Sequence, residues 1–145
     1  MTTAEHLDTI DRLRVTAFPP EPVWSGGLSS GPGYHLVQVS WTADFREDGG
    51  AGRTEATDQI NAEYGALTQA LGDRWGRAQV FSLVSVRDRG FDGEAIPEPW
   101  ARLSGMTGHV HLWRVGERWL VVCVAEGDGE EPLVLVAGVT VIDPP

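Results

Sequence analysis

The sequence has no lysine; all 11 of its basic residues are arginine. Schiff-base catalysis, the phosphate-gripping lysine of a P-loop and a lysine general base are therefore excluded. GC-rich coding also produces an arginine-only cation set, so this bias needs no functional cause. Cysteine is nearly absent. The one thiol, Cys123, sits inside the apolar run WLVVCVA, so no intrachain disulfide can form, which fits a reducing cytoplasm. Basic charge is scarce as well, and 21 acids against 11 bases leave a net charge of −10. That balance argues against nucleic acid and against an anionic membrane surface, since both require a basic footprint. The acids are spread along the chain, which reads first as solubility. No stretch reaches the roughly 18 uninterrupted apolar residues of a membrane span, and the charged, amphipathic opening MTTAEHLDTIDRLR is not built like a signal peptide. A cytoplasmic protein that binds neither nucleic acid nor membrane is expected.

What is present fits one globular domain over residues 1–145, with 41% hydrophobic and 22% charged residues. The densest β-branched and aromatic stretch runs from His109 to Ile142 and predicts three strands, near 109–115, 118–126 and 132–142. Gly116-Glu117 suits a two-residue type II′ turn between the first two strands, and Gly127-Asp128-Gly129 forms the second turn. Gly138 marks a candidate bulge in the third strand.

Upstream, Thr2 and Glu5 have capping-box spacing at the start of a helix over 2–16, with Leu7, Ile10 and Leu13 near one face. Residues 19–33 (PPEPVWSGGLSSGPG) read as a long loop. A strand follows over 34–43, where strict alternation places His35, Val37, Val39 and Trp41 on one face. Thr54 caps a second helix through Ile60, Tyr64, Leu67 and Leu71, and Gly72 ends it. Residues 79–86 read as a further strand and 87–108 as mostly irregular, with one helical turn over 99–104. This order predicts an α+β fold of two layers: a largely antiparallel sheet of about five strands, ending in the three-stranded meander, with two helices on one face.

Several groups of residues invite chemical readings. His109 and His111 share one strand face, and His35 occupies another strand, so three imidazoles could line a ligand or metal site. The competing reading is three half-exposed strand histidines, and no CxxC or HExxH spacing supports a metal. Gly27-Leu28-Ser29-Ser30-Gly31 matches a nucleophile elbow in letters, but the strand-before, helix-after context is missing. Gly49–Thr54 lies ahead of a helix, where anions bind, yet Glu47 and Asp48 stand beside it. Glu126, Asp128, Glu130 and Glu131 crowd one hairpin without the spacing of a calcium loop, and read as a solvated turn. No cofactor is called for.

Of six tryptophans, Trp41 and Trp119 sit in apolar strand context and are expected in the core. Trp24 and Trp100 lie in irregular, proline-rich segments, where an indole either plugs a loop onto the sheet or anchors a partner.

The segment Ile96-Pro97-Glu98-Pro99-Trp100, the run His111-Leu112-Trp113-Arg114, Trp119 and the closing Asp143-Pro144-Pro145 resemble small uncharacterised proteins of GC-rich actinobacteria over about residues 64–145. The resemblance implies a bacterial, cytoplasmic protein and brings no activity with it. Size and charge are also similar to those of small acidic immunity proteins. Two functions follow as expectations. The first is a non-catalytic protein-interaction module of adaptor or immunity type, meeting a basic partner through Trp24, Trp100, Glu126, Asp128, Glu130 and Glu131. The second is a small-molecule or metal-binding domain, with or without catalysis, whose site lies between the sheet and loops 19–33 and 87–108 near His35, His109, His111 and Trp100. Self-association through an edge strand, giving a homodimer, is a third.

Overall fold

The computed structural model describes residues 2–42, 52–126 and 131–145. The fold is α+β, with seven strands and four helices among those residues. The sheet is antiparallel throughout, in the order β1-β2-β3-β7-β6-β5-β4. Its C-terminal half is the expected meander: β5 (His109–Val115), β6 (Arg118–Ala125) and β7 (Val134–Thr140). Val115 pairs with Arg118 across a turn in which Gly116 has φ +63, as a type II′ turn requires. β7 then pairs with β3 (Tyr34–Trp41), joining the meander to the N-terminal half.

Two strands beyond the expected five come from the segment read as a loop. β1 (Val23–Ser25) and β2 (Leu28–Gly31) form a hairpin on Gly26-Gly27, both at positive φ, and β2 continues antiparallel onto β3. A type I′ turn needs such a pair, so the glycines build a hairpin here rather than a slack connection.

Helices cover both faces of the sheet, so the expected two layers are three. α1 (Thr3–Val15) begins at a complete capping box, with the Glu5 N–H donating to Thr2 Oγ1 at 3.2 Å and the Thr2 N–H to the Glu5 carboxylate at 2.7 Å. It buries His6, Ile10 and Leu13 beside α2 (Arg53–Trp75), which buries Ile60, Leu67 and Leu71. Together they close one core over Val39, Trp113, Leu120, Val122, Leu135 and Val139. The opposite core lies under α3 (Val84–Phe91) and α4 (Trp100–Ser104), where Leu83, Val86, Trp100 and Leu103 meet Leu36, Val110, Leu112, Val121 and Cys123.

α2 runs past Gly72 to Gly76, whose φ of +88 ends it. Its last turn is held from outside: Arg74 pairs with Asp11 at 3.1 Å, Arg14 stacks over Trp75, and the Trp113 indole donates to Gly76 O at 2.9 Å. The strand expected over 79–86 stops at Ser82 as β4 (Gln79–Ser82), and Val84 onward is helix. Its partner β5 begins at His109, opposite Ser82, and the last backbone bond between the two segments runs from Leu83 N–H to Gly108 O at 2.8 Å. The chain turns helical there and buries Leu83 and Val86 at helical spacing.

Gly138 is not a bulge. Its pairs with Leu36 and Val121 are in register, and it is small because Leu36 lies across it: an added Cβ would stand 2.5 Å from Leu36 Cδ2 and 3.0 Å from His35 O. The irregularity is in β3 instead, where the register shifts between Gln38 and Ser40.

Candidate functional site

That bulge decides which way Trp41 faces. Gln38 pairs with Val136 of the α3/α4 core, but Ser40 pairs with Leu135 of the α1/α2 core and Trp41 with Val134. One extra residue, Val39, turns the alternation over. Ser40 therefore reaches α2, where its hydroxyl donates to the Glu63 carboxylate at 3.0 Å. Trp41 swings to the other face and stays 59% exposed, against the expectation of a core residue.

On that face Trp41 joins Trp24, which is 64% exposed. Trp24 pairs with Ser29, and Ser29 with Leu36, so the indole stands on the side of α4, and the Arg102 guanidinium lies 5.2 Å above its ring. Two adjoining cavities run between the indoles, about 370 Å³ beside Trp24 and about 340 Å³ beside Trp41. They share Gly26, Gly27, Gln38 and Val134, so they form one groove. Leu36 and Val136 line its floor, with Met106 on the α4 side. This is the space foreseen between the sheet and loops 19–33 and 87–108, but no histidine lines it.

The three candidate histidines do not meet. All point to the α1/α2 face, yet His35 on β3 lies three strand spacings from β5, about 14 Å across the sheet. His35 is buried and fully bonded. Its Nε2 donates to Thr16 O at 3.2 Å, because a carbonyl can only accept, and its Nδ1 shares a hydrogen bond with Ser30 Oγ at 2.6 Å. Phe18 closes over the ring. His111 shares a hydrogen bond between its Nδ1 and the Tyr64 hydroxyl, and its ring packs near that of His109. Burial first and His109 second hold the His111 pKa below its ordinary value; burial, then the Cys123 thiol, holds the Tyr64 phenol above its own. No group of three or more metal-ligating side chains occurs among the described residues.

Trp100 is a plug and is removed from any contact surface: it is 0% exposed, and its indole donates to Ile142 O at 3.1 Å. Trp119 is half-buried against the same core, with its indole N–H on Asp143. Ser29 and Ser30 lie along β2 rather than on a strand-to-helix turn, and both are buried, so no elbow is formed. Burial pushes the Cys123 thiol up to about 12. Glu126 and Glu131 are exposed at the ends of β6 and β7; Asp128 and Glu130 lie outside the described residues, as do Gly49, Gly50 and Ala51 of the glycine-rich connection.

Sequence reasoning missed a buried polar group on the α1/α2 side. His6 Nε2 stands 3.6 Å from Glu63 Oε1, and Glu63 also accepts from Ser40. The spacing of His6, Ile10 and Leu13 on one helix face was the available signal for His6; nothing signalled Ser40, because the bulge hides its orientation. No helix among the described residues is long and apolar enough to cross a membrane. In comparisons with known proteins, no family model, no curated protein and no solved structure matches this chain.

Proposed function

We propose that this chain is a small, acidic, cytoplasmic protein-interaction module without catalysis, and that its contact surface is the groove between Trp24 and Trp41. One observation carries the reading: two indoles, 64% and 59% exposed, flank a single apolar groove, whereas Trp100, Trp113 and Trp119 are buried or half-buried and Trp75, at 37%, is stacked under Arg14. Exposed indoles on either side of an apolar floor are what binding surfaces concentrate and ordinary surfaces avoid. The nucleophiles give catalysis no support, since Ser30, Cys123 and their surroundings are closed to substrate. The partner presents an apolar segment with basic flanks. Glu126 and Glu131 stand at the hairpin beside the groove, next to lining residues Ala125 and Pro132, and the net charge of −10 draws a basic protein in.

The test is capture from extracts of the cells that make the protein, with wild type, a Trp24→Ala/Trp41→Ala double variant and Phe91→Ala as baits. Phe91 is a still more exposed aromatic, at 81%, and lies away from the groove. A basic protein retained by wild type and Phe91→Ala, and lost by the double variant, is the expected result. Equal retention by all three baits contradicts the assignment.

A further inference from the structure

A second cavity, of about 430 Å³, lies across the Met106 segment from the groove, and Met106 is the one residue that the two linings share. Asn61, Arg87, His109 and Glu126 supply its polar wall, and Met106 and Val124 its apolar one. Arg87 and Glu126 carry opposite charges yet make no ion pair with each other, and neither side chain has a hydrogen bond, ion pair or ring contact with the described residues. Arg89, on the same helix as Arg87, is by contrast closed by Glu94 at 2.6 Å. Both residues are exposed, so among the described residues the rim of the cavity presents to solvent one guanidinium and one carboxylate that no protein group closes.

We infer that this cavity binds a free aliphatic α-amino acid. A simple anion satisfies Arg87 and is repelled by Glu126; a simple cation meets the reverse. A zwitterion satisfies both, each through a charge-assisted hydrogen bond. Its carboxylate goes to Arg87, its ammonium to Glu126, and its side chain to Met106 and Val124, with Asn61 and His109 as neighbouring polar contacts. The volume is within the range of small-molecule sites. This site shares Met106 with the groove, and Glu126 stands beside both, but it is read by free L-leucine alone and stands whether or not the groove binds a protein.

The experiment is titration of the ¹⁵N-labelled full chain with L-leucine, and with its two halves in charge: 4-methylpentanoate, which lacks the ammonium, and 3-methylbutylamine, which lacks the carboxylate. L-leucine should shift backbone resonances of residues 104–109 and 126, with each single-charge analogue at least about tenfold weaker. Arg87→Gln and Glu126→Gln should each weaken L-leucine by about tenfold or more while leaving the rest of the spectrum in place. The site is overturned if L-leucine moves none of these resonances up to about 10 mM, if 4-methylpentanoate binds as well as L-leucine, or if binding survives either substitution unchanged.

Discussion

The hydroxyl of Ser40 donates to the carboxylate of Glu63 at 3.0 Å, and that bond ties the β3 bulge to α2. With Ser40 committed to the helix side, Trp41 has only the open face left. The same carboxylate stands 3.6 Å from the buried His6 ring, so Glu63 serves β3 and α1 together.

Ser40→Ala removes the donor and leaves Glu63 short of one partner. A hydrogen bond to a charged group contributes about 1.5 kcal/mol or more. Urea unfolding should show a loss of about 1–2 kcal/mol, with the slope unchanged. An unchanged midpoint means that the bond does not fix the bulge.

Gly138→Ala places a methyl group where Leu36 and His35 O already are. Overpacking of this kind costs about 1–3 kcal/mol. In a Leu36→Ala background the nearest obstacle is gone, so the cost should shrink. Additive losses in the double-mutant cycle would show that Leu36 is not what excludes the side chain.

These two sites also show how far the sequence could be read. The meander, the capping box of Thr2 and Glu5, and the helical spacing of Ile60, Leu67 and Leu71 all rest on local periodicity, and each survives in the fold. Trp41 does not, because a one-residue bulge reverses parity without any mark in the letters. The β1–β2 hairpin was written in Gly26-Gly27, but proline on one side and serine on the other masked its short strands. α3 depends on where β5 begins, a long-range fact that no window around Val84 contains. The groove inherits two of these failures, since it is built from that hairpin and that bulge; its α4 side was foreseen as a helical turn. His109 and His111 share a face, as alternation said; that His35 stands on the same side but three strands away is set by strand order, which the sequence left open.

Trp100 and Trp24 should part sharply on truncation. Trp100→Ala empties the core under α4 and should cost about 3–5 kcal/mol. Trp24→Ala gives up little more than the Arg102 contact and should cost about 1 kcal/mol or less. Denaturant midpoints decide it; a loss at Trp24 as large as that at Trp100 would make Trp24 a structural residue.

His111 predicts the acid limb of stability. Its folded pKa lies below the ordinary value near 6.5, so at acidic pH the unfolded chain binds a proton that the folded chain resists. Its contribution is therefore fully present above about pH 6.5 and is lost as pH falls through the folded value. Unfolding midpoints taken from pH 8 to pH 5 should fall less steeply in His111→Asn, which keeps a partner for Tyr64, than in wild type. Parallel curves would remove His111 from this role.

The pairing of Trp24 with Trp41 as one working surface is tested most directly by ¹⁹F NMR of the 5-fluorotryptophan-labelled protein. Each line is assigned by single substitution, and spectra are recorded with and without extract from the producing cells. The lines of Trp24 and Trp41 should broaden or shift together on adding extract, while that of Trp100 stays fixed. If those two lines stay unchanged while another tryptophan responds, or if the Trp41 line behaves as a buried one from the start, the groove is not the contact surface.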